Sequence, residues 1–160
     1  MINTAGLWSA HVAKLSGLID FEIRPCRGDY YQYGSLPISK PVYHPPNPSG
    51  LGLGIHLTPT LDGQLLLGPN AYFIKDLDNY AQGSLPDDYL ATLKDHLPDL
   101  PHDRIQAAYS GNRPKLFFKG KPLTDFCFVQ EGRWIHALGI ESPGLTAAPA
   151  IARHIWALMT

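Results

Sequence analysis

Apolar side chains recur along this chain in short runs broken by glycine, proline and polar clusters, a rhythm of many brief elements. Trp8, Val12, Leu15 and Ile19 fall at helical spacing and predict a helix from about Leu7 to Leu15, with polar Asn3 and Thr4 ahead of it and Gly17 as its stop. Phe21 to Pro25 reads as a strand entering a turn at Arg27-Gly28-Asp29, with Tyr30 to Tyr33 as the returning strand. Pro41 to Tyr43 is extended, and Pro45 to Gly50 is loop. Gly54–Thr58 and Gln64–Leu67 flank Leu61-Asp62-Gly63, a strong hairpin signal. Asp87 to His96 carries a helical Leu90, Leu93, Leu97 pattern with acidic residues in its first turn. Ile105–Tyr109, Leu116–Phe118, Phe126–Gln130 and Trp134–Leu138 read as strands, the last two joined through Glu131-Gly132. A final helix from near Leu145 to Leu158 is expected to bury Leu145, Ala148, Ala152, Ile155 and Met159. Ser142-Pro143 is a candidate N-cap and first position; Pro149 either kinks that helix or lies in the first turn of one capped by Thr146. Together these elements predict an α+β fold, a largely antiparallel sheet with a few packing helices.

Composition narrows the picture. The 160 residues suit a single domain able to bury about 70% of its unfolded surface. A hydrophobic content of 44% argues against disorder, and a net charge of −1 offers no electrostatic footprint for nucleic acid or an anionic membrane. No apolar run reaches the roughly 18 residues of a membrane span. Residues 1–13 lack the basic and apolar regions of a signal peptide, so a cytoplasmic location is expected. Cys26 and Cys127 stand in apolar, strand-like surroundings and read as free thiols.

Candidate chemistry is sparse. The glycines of Ser49–Gly54 lack the spacing of a phosphate loop, and the strand-like sequence after them suits a flexible hairpin entry better. The seven histidines form no metal-binding pattern, so no metal site is expected. His56 alternates with Ile55 and Leu57 and so faces away from them, either as a hydrogen-bonded structural histidine or as part of a pocket. Arg113, in Ser110-Gly111-Asn112-Arg113-Pro114 between two strands, suits either a carboxylate fork or a salt bridge holding the turn; Lys115 reads as a surface lysine. Gly139-Ile140-Glu141-Ser142-Pro143-Gly144-Leu145-Thr146 passes from strand to helix through small residues. Free N–H groups at such a helix start can receive an electron-rich ligand, although an ordinary capped turn has the same pattern.

At these residues the chain resembles the C-terminal half of the D-amino-acid-oxidase-like FAD-dependent oxidoreductases, in the branch that includes L-2-hydroxyglutarate dehydrogenase or oxidase. Ile2–Trp8 is similar to that family's N-A-A-G-L-W turn, and Arg24–Tyr31 to its P-x-R/K-G-E-Y segment. His56–Gly63 with Leu67–Asn70 looks like its substrate-domain hairpin, and Tyr109–Lys115 like its Y-x-G-x-R-P-K run. Asp125-Phe126 fits the D-F that follows, and Gly139–Thr146 resembles the closing flavin turn. The resemblance implies that Gly139, Ile140, Glu141, Ser142, Gly144, Leu145 and Thr146 approach the isoalloxazine. It further implies that Arg113 pairs with a substrate carboxylate, and that His56 and Tyr30 line the substrate pocket. The parent reaction is oxidation of a 2-hydroxy acid or amino acid by hydride transfer to FAD.

No G-x-G-x-x-G occurs in these residues, so the N-terminal Rossmann unit and its pyrophosphate cradle are expected to be lacking. The chain is accordingly expected to bind no FAD alone and to be inactive alone; another reading is reconstitution with a separately encoded N-terminal FAD-binding half. Self-association through the apolar surface left bare, as a homodimer, is also expected. A contrasting expectation is a binding module for small carboxylates or a partner protein, without redox activity.

Overall fold

The computed structural model describes residues 1–43, 54–82 and 86–159, leaving out also the side chains of Asp88, Asp95 and His96. The expected Pro45–Gly50 loop, His44, and residues 49–53 of the glycine-rich run lie outside the described residues. The chain is mixed α and β, with mostly antiparallel strands and few helices. Its strands are Ile2–Asn3 (β1), Phe21–Tyr33 (β2), His56–Pro59 (β3), Leu65–Gly68 (β4), Tyr72–Phe73 (β5), Gln106–Phe118 (β6), Lys121–Leu123 (β7), Cys127–Glu131 (β8) and Trp134–Leu138 (β9). Its helices are Ser9–Lys14 (α1), Asp87–His96 (α2) and Gly144–Ala157 (α3). One sheet has the order β1-β9-β8; another runs β3-β4-β2-β6-β7 with β5 on β2. The chain divides into two compact units, and β2 and β6 each contribute to both.

The first unit comprises Met1–Cys26, Ile74–Leu77 and Asn112–Thr160. Here β8 and β9 form the expected hairpin, closed at Gly132 with φ 54°, and β1 adds in parallel with Asn3 opposite His136. The strand β7 was not foreseen; it returns along β6 through Lys119 and Gly120, both at positive φ. Helix α1 ends before Gly17 (φ 98°) as expected, but its buried face is Ser9, Ala10 and Ala13. The large residues of the predicted stripe point outward instead, Leu15 and Ile19 each 74% exposed. Small side chains let the helix lie close over β9, so spacing identified the helix but not its inner face.

Helix α3 needs the same correction. Its inner contacts are Ile151, Ile155 and Leu158 against Ile135, Ala137 and Phe128. Of the expected stripe only Ile155 is buried; Leu145 is 93% exposed, and Ala148, Ala152 and Met159 are also exposed. Pro149 lies inside the helix, and Ser142 is not its cap: Pro143 takes that position with no side-chain bond.

The second unit comprises Arg27–Phe73 and Asp78–Gly111. The β3–β4 hairpin forms as expected, with His56 opposite Gly68 and Pro59 opposite Leu65, and Gly63 turns at φ 83°. Alternate residues Tyr31 and Tyr33, Ile55 and Leu57, and Leu65 and Leu67 build a core against Tyr89 and Leu93 of α2. Each such side chain contributes roughly 1.5–3 kcal/mol by leaving water. The Tyr89 hydroxyl donates to the Leu67 carbonyl at 2.5 Å, satisfying its one polar atom in the core.

Two expected turns are absent because both segments continue as strand. Arg27-Gly28-Asp29 lies within β2, and Ser110–Pro114 within β6. Residues two apart share a strand face, so Arg27 Nε reaches Asp29 Oδ1 at 2.7 Å. Their side chains are both 4% exposed. Arg27 also donates to the Ala81 carbonyl, the Tyr72 hydroxyl donates to Asp29 Oδ2 at 2.6 Å, and the Asp29 N–H donates to Asn70 Oδ1 at 2.8 Å. Burial and the neighbouring carboxylate push the Tyr72 phenol up to about 12, so it stays a donor. A charged pair this fully hydrogen-bonded can occupy a strand interior. Asp29→Ala strands a buried guanidinium and should cost about 3–5 kcal/mol in urea unfolding, whereas replacing both partners with Met and Leu should cost much less. Equal losses would show that the pair is not what stabilises this unit.

Candidate functional site

The strand-to-helix turn after β9 packs closely at both of its glycines. Gly139 sits at φ 65°, and a Cβ there would lie 2.8 Å from Leu116 Cβ on β6. A Cβ on buried Gly144 would lie 2.6 Å from Ile140 Cγ2. Both positions therefore exclude a side chain by contact, and Gly139 by conformation too. The Gly144 N–H donates to the Glu141 carbonyl at 2.5 Å and the Ala147 N–H to that of Pro143 at 3.0 Å. Among the described residues the N–H groups of Leu145 and Thr146 have no acceptor. Residues 140–146 border a cavity of about 330 Å³. Gly6, Ala137, Gly144, Ala148 and Ile151 help line another of about 360 Å³.

Ion pairing joins this turn to β6. Lys115, expected at the surface, is half-buried and places Nζ 2.8 Å from Glu141 Oε1. Arg113 lies two residues earlier on the same face of β6, in a strand rather than in the expected turn. Its Nη1 is buried and without a hydrogen-bond partner among the described residues. The thiol of fully buried Cys26 is pushed up by desolvation, opposed by the nearby charges of Arg113 and Lys115. The structure thus brings Arg113 together with Glu141 of the turn through a local group of Cys26 and Lys115.

Tyr30 and His56 belong to the other unit. Tyr30 stacks on Tyr109 with ring centroids 4.7 Å apart, and its carbonyl accepts from Gln82 Nε2 at 2.6 Å. His56 packs on Tyr43 at 4.4 Å while its strand neighbours Ile55 and Leu57 are buried, the alternation its sequence predicts.

Sequence reasoning missed a buried polar network behind the turn. Asn3 Nδ2 donates to the Ser9 carbonyl at 2.8 Å and to His136 Nδ1 at 2.9 Å. Its Oδ1 accepts from the Ala5 N–H at 3.1 Å, which fixes the amide's orientation. His136 must then carry its proton on Nε2, donating to Ser16 Oγ at 3.0 Å, whose hydroxyl donates to the Ala13 carbonyl. The partners lie 133 residues apart, so no spacing signal could have joined them.

Comparison with known proteins meets this geometry with a family. The FAD dependent oxidoreductase (DAO) model matches residues 1–158. The chain belongs to that family. It is 32% identical to the mitochondrial L-2-hydroxyglutarate dehydrogenase of Arabidopsis thaliana over 97% of this chain and 36% of that protein. It is 28% identical to L-2-hydroxyglutarate dehydrogenase of Escherichia coli (strain K12), over 97% of this chain and 46% of that protein. The solved structure of dithionite-reduced L-alpha-glycerophosphate oxidase from Mycoplasma pneumoniae, with FAD bound, is similar at a TM-score of 0.72 and 29% identity, covering 95% of this chain and 40% of that one. The chain thus spans less than half the length of these relatives. Among the described residues no helix is long and apolar enough to cross a membrane.

Burial holds His136 below its ordinary 6.5, with Glu131 opposing and the N-terminal ammonium adding to the depression. The unfolded chain then binds a proton that the folded chain refuses. This contribution to stability is complete above pH 6.5 and is lost as pH falls toward the folded value. Urea unfolding should show that decline, and His136→Gln should flatten it; an unchanged slope in the variant would assign the decline to other groups.

Proposed function

We propose that this chain supplies the substrate-side sheet and the closing flavin turn for FAD-dependent oxidation of a small 2-hydroxy acid or amino acid. The observation that carries the reading is the Gly139–Thr146 turn, with its two closely packed glycines and two N–H groups that have no acceptor among the described residues, beside a cavity. These residues fit the electron-rich edge of an isoalloxazine: glycine permits close approach, and fixed donors offer charge stabilisation without reorganisation. They do not fit a pyrophosphate, since the 160 residues contain no G-x-G-x-x-G. FAD, when bound, supplies the two-electron acceptor. Leu145 and Thr146 would donate their N–H groups to its ring, and Gly139 and Gly144 would keep side chains from the approach. Arg113, with a buried unfilled donor, would fork the substrate carboxylate. Tyr30 and His56, in the second unit, would be substrate contacts on the family resemblance alone.

The relatives named L-2-hydroxyglutarate dehydrogenase support a 2-hydroxy acid as substrate. A dinucleotide-binding unit, covalently joined or separately encoded, would complete the FAD site. The outward stripe of α3, including Leu145, Trp156 and Met159, would be available to it. The 160 residues alone would then be inactive.

In FAD titrations the 160 residues alone should develop no stoichiometric flavin band, and addition of a unit bearing the dinucleotide fingerprint should produce one. Gly144→Ala should abolish that band, whereas Arg113→Ala should keep it and weaken 2-hydroxy acid binding on the order of tenfold to a hundredfold. Retained FAD in Gly144→Ala would remove the turn from the cofactor site.

A further inference from the structure

Among the charged side chains near the turn, Lys115 and Glu141 stand out because neither is needed to close it. The turn's own backbone bonds do that, through Gly144 to Glu141 and Ala147 to Pro143. The pair joins β6 to the turn across 26 residues, at 2.8 Å, with side chains 24% and 17% exposed. A partly buried ion pair is a weak source of stability, and an apolar pair would pack as well. The carboxylate is also poorly placed for a turn that offers free N–H groups to negative charge: alone, it would oppose what the helix start attracts. Lys115 cancels it, and Arg113 on the same strand face leaves the group with a net charge of +1 (Arg113 and Lys115 against Glu141).

We propose that Lys115 is a positioning residue that neutralises Glu141, so that the 140–146 turn can stabilise negative charge developing on a bound flavin. This rests on the reading of the turn as a flavin contact. The two members of the pair then act on the flavin in opposite directions. Removing Lys115 leaves Glu141 without its ion-pair partner, lowers the charge of the group by one and disfavours reduction. Removing Glu141 releases an ammonium and favours it. A purely structural bridge has no such opposition, because either loss would loosen the turn alike.

The decisive measurement is redox titration of the FAD-loaded protein carrying Lys115→Met, Glu141→Gln, both together, or Lys115→Arg. Lys115→Met should lower the flavin potential and Glu141→Gln should raise it, each by roughly tenfold in the two-electron equilibrium, or about 30 mV. The double variant should return toward the parent value, and Lys115→Arg should stay at it. Hydrogen exchange of the Gly144 and Ala147 amides, read on the protein without flavin, reports whether either single variant has opened the turn. Shifts of the same sign in both single variants, or no shift while FAD remains bound, would overturn this inference and leave the flavin turn standing. Failure of the unaltered protein to hold FAD when supplied with a dinucleotide-binding unit would overturn both.

Discussion

At Gly139 and Gly144 the backbone passes so close to Leu116 and Ile140 that only hydrogen fits on the α-carbon. This contact governs the first unit. At Gly139 it sets the end of β9 against Leu116 of β6, and at Gly144 it folds the turn onto its own Ile140; among the described residues the N–H groups of Leu145 and Thr146 have no acceptor. A side chain at Gly139 would push the turn away from the strand that carries Arg113 and Lys115, and one at Gly144 would press on Ile140 within the turn. The charge pairing between Lys115 and Glu141 and the shape of the neighbouring cavities both follow from that approach.

Elsewhere two buried polar networks pair their members internally, while Ser9 Oγ and His102 Nε2 are buried without a hydrogen-bond partner among the described residues. In the first unit Asn3, His136 and Ser16 exchange hydrogen bonds in one consistent protonation pattern, tying β1 and α1 to β9. In the second unit Arg27 and Asp29 neutralise each other inside β2, with Tyr72, Asn70 and Ala81 taking up remaining donors and acceptors. Desolvation makes an incomplete network costly, so each completed one admits a single arrangement of its strands.

Membership of the FAD-dependent oxidoreductase family was legible before any coordinates, because the ordered motifs from Asn3 to Thr146 carried it. The α+β class, the β3–β4 and β8–β9 hairpins and the bounds of α2 were legible too, since each depends on interactions within about a dozen residues. The closing turn was recognisable from its glycines and proline. The reading failed where composition imitated a turn. Arg27-Gly28-Asp29 and Ser110–Pro114 look like loops, yet both are strand because distant partners satisfy them: Ala81 and Tyr72 for the former, and Tyr80 and Leu77, whose carbonyls accept from Ser110 and Asn112, for the latter.

Local pattern, then, sufficed for which segments are helix or hairpin and where the β9 strand turns into α3, because periodicity and turn chemistry act over short stretches of chain. It could not say which face of α1 or α3 is buried, since that depends on the size of side chains across the interface: Ala10 and Ala13 lie inward while Leu15 is outside. Nor could it pair Asn3 with His136, or Lys115 with Glu141, because hydrogen bonds and charges act through space and these partners meet only after the fold has brought β1 to β9 and the 140–146 turn to β6.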